Sequence, residues 1–116
     1  MKNILLLVLF FYPVIIFSAN YTVKQDNTGN FTQIQQAINV SVSGDTIIVY
    51  PGRYLENIDY LGKNIYLTSL YRYSNDRSYI NNTIIDGNQQ SSVVSFINNE
   101  SRAAVLNGFT IENGIG

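Results

Sequence analysis

Two carboxylates and a cluster of tyrosines are the side chains here with the most chemical potential. Asp86 and Glu112 each sit in a β-like segment. A pair of carboxylates can serve as acid and base at a glycosidic bond, provided their separation is fixed. The sequence places these two on different strand positions and fixes no distance, so turn or surface roles are the favoured reading. Tyr60, Tyr66, Tyr71, Tyr73 and Tyr79 gather around one strand and the polar stretch after it. Aromatic faces bind sugar rings, and tyrosine is also simply a good strand residue. Tyr66, Tyr71 and Tyr73 are the residues expected to contact carbohydrate. Glu56 shares a face with Tyr54 and Ile58 if that segment is a strand. It is expected to be buried beside Arg53 or Lys63 in a structural role, because buried charge requires pairing.

The missing residue types exclude more than the present ones suggest. The 116 residues contain no His, Cys or Trp. Zinc sites, thiol catalysis, serine–histidine relays and disulfides are thereby excluded within the chain. Seven basic against eight acidic residues leave no electrostatic footprint for nucleic acid. No catalytic, cofactor-binding or metal-binding residue is expected.

The elements that must position these side chains begin after an apolar leader. Lys2 is followed by an almost unbroken apolar run from Ile4 to Phe17, then Ser18-Ala19-Asn20. The run is shorter than the roughly 20 residues that span a bilayer and fits a secretory signal peptide. Residues 1–19 are therefore expected to direct export and be removed, leaving no membrane span. Residues 20–45 read as a strand followed by a helix. Tyr21 to Gln25 alternates, Asp26 to Asn30 is a turn cluster, and Thr32 with Gln35 has capping-box spacing. Phe31, Ile34, Ala37 and Ile38 form one apolar stripe, predicting a helix over Phe31 to Val42 with Gly44 just past its end.

From Thr46 onward the pattern is short strands. Thr46 to Tyr50, Tyr54 to Ile58, Asn64 to Thr68, Thr83 to Ile85, Val93 to Ile97 and Phe109 to Ile111 are rich in β-branched and aromatic residues. Tyr71 to Asn82 reads as a loop, and no helix is predicted after Asp45. An internal repeat aligns Thr46-Ile47-Ile48 with Thr83-Ile84-Ile85, Tyr54–Ile58 with Val93–Ile97, and Ile65-Tyr66-Leu67 with Phe109-Thr110-Ile111. Repeats on this scale are the mark of a solenoid. The alignment also favours Ile48 and Ile85 as inward-facing. Asn57, Asn64, Asn88, Asn107 and Asn113 are candidates for side-chain ladders at the turns.

The run Gly29-x-Phe31-x-x-Ile34-Gln35-x-Ala37-Ile38, then Gly44-Asp45-Thr46-Ile47-Ile48-Val49-x-Pro51-Gly52-x-Tyr54-x-Glu56-Asn57-Ile58, resembles the start of pectin-lyase-like β-helix proteins. Pectin methylesterases and many uncharacterised bacterial surface proteins share this layout. Thr83-Ile84-Ile85-Asp86-Gly87 and Gly108-Phe109-Thr110-Ile111-x-Asn113-Gly114 carry the same resemblance. It implies a mainly β fold, a right-handed parallel β-helix truncated at about two coils, with residues 20–45 as an N-terminal cap of strand and amphipathic helix. Residues 46–116 would be the first coils of a longer helix. The catalytic Gln, Asp and Arg residues of the esterases lie on later coils and have no counterpart here. The expected function is that of a secreted or cell-surface protein, non-catalytic, in adhesion or polysaccharide contact. The alternative is the leading segment of a pectin esterase or lyase whose catalytic residues lie beyond residue 116. Self-association through an exposed last coil is also expected.

Overall fold

Short runs of β-branched residues bounded by turn residues decide where strands form. The computed structural model describes residues 17–116. The expected leader lies outside the described residues except for its last three. Of these, Ala19 is tied to the fold: its N–H donates to Asp45 Oδ1 at 2.9 Å and its carbonyl accepts from Thr46 N–H.

Strand β1 (Asn20–Val23) precedes helix α1 (Ile34–Val40), and β2 (Thr46–Val49), β3 (Gly52–Leu55), β4 (Ile58–Asp59) and β5 (Tyr66–Ser69) follow. Two short helices, α2 (Tyr71–Ser74) and α3 (Ser78–Asn82), lead to β6 (Thr83–Asp86), β7 (Val94–Ser95), β8 (Val105–Asn107) and β9 (Thr110–Glu112). The strands sort into three parallel sheets ordered β1-β2-β5-β8, β3-β6-β9 and β4-β7.

The expected right-handed parallel β-helix of about two coils is corrected by this content. The described residues are 16% helical and 31% strand, in three helices and three small parallel sheets, and no solenoid or β-helix is evident among them. Strands of two to four residues leave much of the chain in irregular turns, and α2 and α3 occupy the stretch read as a loop. The repeat alignment survives only where Ile58, at the end of the Tyr54–Ile58 segment, pairs with Val94 of the Val93–Ile97 segment. Thr46 pairs with Tyr66 rather than Thr83, and Thr83 pairs with Gly52 in a different sheet. Similar strand sequences serve different sheets because parallel pairing is set by the whole crossover connection.

Side chains stack in register beneath the sheets. Ile47 and Val49 of β2 are fully buried and Ile48 is half-buried, reversing the expected inward face of that strand, while Ile85 is buried as expected. Leu67 lies in register between Ile47 and Leu106. Burying each such aliphatic side chain contributes roughly 1.5–3 kcal/mol. Tyr54, Ile85 and Ile111 form a second register row. Its exposure rises from 2% and 0% to 43% at Ile111, where β9 has no further neighbour.

Helix α1 buries Ile34, Ala37 and Ile38 against β1, β2 and β4, which is the expected stripe. It is shorter than predicted, because Phe31 instead makes a parallel bridge to Val23. The Thr32–Gln35 capping box does not form, since the N-cap is Gln33 and its side chain makes no capping bond. The helix ends before Gly44. Ser41 closes it, with its N–H bonded to the Ala37 and Ile38 carbonyls and its Oγ donating to Ala37 O.

Candidate functional site

The tyrosine cluster is organised by a residue the sequence reading passed over. Tyr66 opens β5 and projects from a sheet position between Thr46 and Val105. The chain leaves β5 through Leu70 into α2, and this sharp return brings Arg72 back over the strand. The Arg72 guanidinium carbon lies 3.9 Å from the Tyr66 ring centroid and 5.7 Å from that of Tyr73. Both distances fall within the range of cation–π attraction. Tyr73 is 57% exposed, so a broad part of its ring is open to solvent. Tyr71 is half-buried, and its N–H donates to Ser69 Oγ at 3.2 Å. A Cβ placed on Gly108 would sit 3.1 Å from Tyr71 Cβ, so Tyr71 packs towards the β8–β9 turn. The structure thus joins Tyr66 and Tyr73 through Arg72 and assigns Tyr71 to packing. The alternation Tyr71-Arg72-Tyr73 is the signal that could have identified Arg72.

The two carboxylates are brought together after all. Asp86 and Glu112 are register partners on β6 and β9. Arg53 of β3 bridges them: its Nη1 donates to Asp86 Oδ2 at 2.6 Å and also to Glu112 Oε1. The Asn88 N–H donates to Asp86 Oδ1 at 2.8 Å. That backbone bond, with help from Asn113 and Arg53, holds the Asp86 carboxyl below the usual carboxylate range. Bonding to Glu112 and Asp86 pushes the Arg53 guanidinium further up. A carboxyl held in its ionised form is a poor proton donor at neutral pH. One guanidinium bridging both carboxylates makes this arrangement a clasp across three strands.

Glu56 has different partners from those expected. Arg53 faces the other sheet partners, and Glu56 lies in the turn between β3 and β4. There it accepts the backbone N–H groups of Ile34 and Gln35 at 2.8 and 2.9 Å. Burial pushes its carboxyl up, opposed by those two amide bonds. Lys63 donates instead to the Ile38 and Asn39 carbonyls at 2.7 and 2.9 Å. The five candidate ladder asparagines do not bond to one another among the described residues. Asn57 Nδ2 reaches the Gly87 and Ser92 carbonyls, Asn64 Oδ1 accepts Ser101 N–H, and Asn107 Nδ2 donates to Thr68 Oγ1.

The Tyr66–Arg72–Tyr73 stack is a solvent-facing surface among the described residues. It offers the exposed Tyr73 ring beside the N–H donors of Arg72, a pairing suited to the C–H faces and hydroxyls of a sugar. No protein-family model, curated protein or solved structure matches this chain.

Proposed function

We propose that this is an exported, non-catalytic protein that contacts polysaccharide, in adhesion or glycan attachment, through Tyr66, Arg72 and Tyr73. The observation that supports it is the Arg72 guanidinium held 3.9 Å over Tyr66 beside the open ring of Tyr73. Stacking pre-orders a long side chain, which reduces the entropy lost when a ligand is engaged. The Arg53 clasp supports the non-catalytic part of the reading, because it ties up the Asp86–Glu112 carboxylate pair. The apolar run from Ile4 to Phe17 supports export.

The test is retention of the purified protein on a panel of immobilised neutral and acidic polysaccharides, with Arg72→Ala and Tyr73→Ala beside it. Loss of one stacked contact is expected to weaken retention about tenfold, the equivalent of ~1.4 kcal/mol. Circular dichroism of both variants should match the parent. Failure of the parent to bind any member of the panel would overturn the proposal, as would full retention by both variants.

A further inference from the structure

Two Asn-Gly pairs occur in the chain, Asn107-Gly108 and Asn113-Gly114. Glycine leaves the backbone nitrogen behind an asparagine unshielded, so that nitrogen can reach the asparagine side-chain carbonyl. The fold treats the two pairs differently. Asn107 is half-buried at the end of β8, and its Nδ2 donates to Thr68 Oγ1 at 3.3 Å. Gly108 has φ +83°, and a Cβ there would run into Ser69 Oγ and Tyr71 Cβ. That pair is half-buried and crowded by Ser69 and Tyr71.

Asn113 lies just past the end of β9, is exposed, and adopts the left-handed conformation at φ 57°. Neither Gly108 nor Gly114 donates its N–H in a hydrogen bond among the described residues, so the two pairs differ in exposure and crowding. Asn113 directly follows Glu112, the register partner of Asp86, and its carbonyl oxygen sits 2.9 Å from where a Cβ of Gly87 would be. Its side-chain amide bonds the Asp86 carboxylate, which sets it directly against the clasp formed by Arg53, Asp86 and Glu112.

We propose that Asn113 is a site of spontaneous deamidation, and that the product places a third carboxylate beside the single guanidinium of Arg53. The Gly114 nitrogen gives up its proton to solvent base and attacks Asn113 Cγ. A C–N bond forms, the Cγ–Nδ2 bond breaks, and ammonia leaves with the added proton. Water then opens the resulting five-membered imide at either carbonyl, giving aspartate or isoaspartate at position 113. No oxidant or reductant takes part. The aspartate product adds a negative charge where two carboxylates already share one cation. The isoaspartate product also lengthens the backbone at the carbonyl that Gln89 N–H holds at 2.8 Å, next to the Ile115–Ser91 bond. The reaction therefore acts as a slow, irreversible loosening of the β3-β6-β9 sheet.

The experiment is timed incubation of the purified parent chain in mildly alkaline buffer, followed by peptide mass mapping and an isoaspartate methyltransferase assay. Synthetic peptides spanning each Asn-Gly pair run alongside as unfolded references. Each site is expected to react more slowly than its own peptide, with the exposed Asn113 slowed several-fold less than the half-buried Asn107. Asn113→Gln should abolish the signal. Equal protection of the two sites, or faster reaction at Asn107, would overturn the assignment. Asn113→Asp supplies the product directly and is expected to lower the thermal midpoint, with the loss shrinking at high salt. An unchanged midpoint would overturn the link to the Arg53 clasp.

Discussion

Glu56 and Lys63 grip opposite ends of the same seven-residue helix, Ile34–Val40. The carboxylate accepts the first free N–H groups, and the ammonium donates to carbonyls at the far end. Each charge meets the helix end whose partial charge is opposite to its own. Both residues come from the chain around β4, and Gln35 adds a reciprocal pair of bonds to the Asp59 backbone at 2.8 and 3.1 Å. The helix is thus fastened to the sheets by polar contacts at its ends and by Ile34, Ala37 and Ile38 along its buried face.

Replacing Glu56 should show how much that fastening matters. Glu56→Ala strands two helix N–H groups without an acceptor and is expected to destabilise the fold by about 1–3 kcal/mol. Glu56→Gln keeps one acceptor and should cost less. Burial raises the folded-state pKa of Glu56 above its ordinary value of 4.5. The stability linked to that raised value is fully present below the ordinary value and is lost as pH rises through the folded one. The parent should therefore have its largest advantage over Glu56→Gln in acid. Urea unfolding of both proteins across the acidic range checks the sign.

Arg53 holds three strands of one sheet through two carboxylates. Arg53→Gln leaves Asp86 and Glu112 facing each other across adjacent strands without a cation. Asp86 is held below its ordinary value of 3.8, chiefly by Asn88, then by Asn113 and Arg53. Its contribution is present above that ordinary value and is lost as pH falls through the folded one. The variant should be less stable than the parent at neutral pH, and the gap should close in acid and at high salt. Thermal midpoints on a grid of pH and salt measure this directly.

Two of the nine tyrosines should titrate late. Burial, with smaller help from Glu56 and Asp26, pushes the Tyr54 phenol up to about 12, and burial also pushes Tyr60 up. Their hydroxyls donate to the Tyr50 and Val105 carbonyls at 2.8 and 2.6 Å. A raised phenol contributes stability that is complete below the ordinary value of 10.0 and lost as pH rises through the folded one. Ultraviolet titration should show these phenolates forming only as the protein unfolds in alkali. Tyr60→Phe removes the bond to Val105 and should lower neutral-pH stability by about 1 kcal/mol.

The turn after Tyr60 tolerates only glycine at its second position. Gly62 has φ +77°, and a Cβ there would lie 2.8 Å from the Asn98 carbonyl oxygen. Its N–H donates to Glu100 Oε2 at 3.1 Å, so the turn also anchors the loop before β8. Gly62→Ala is expected to destabilise the chain by about 1–2 kcal/mol from the left-handed backbone alone. Displacing the Asn98 carbonyl adds to that loss. Chemical denaturation provides the comparison.

Local chemistry written in the sequence determined the element types. Thr46–Val49 and Thr83–Asp86 are strands because β-branched runs sit between turn residues, and the Ile34–Ile38 stripe is a helix face because its apolar spacing matches one turn. The tyrosines and the lack of His and Cys were equally legible. Tertiary structure alone decided the partners. Thr46 pairs with Tyr66 rather than with its look-alike Thr83, because parallel register depends on crossover geometry that no local pattern encodes. For the same reason Asp86 meets Glu112 and both meet Arg53 across long stretches of chain. Glu56 caps a helix that precedes it because the β3–β4 turn carries it there. Arg72 covers Tyr66 because α2 folds the chain back over β5, in a stretch too short and too polar for its sequence to announce a helix.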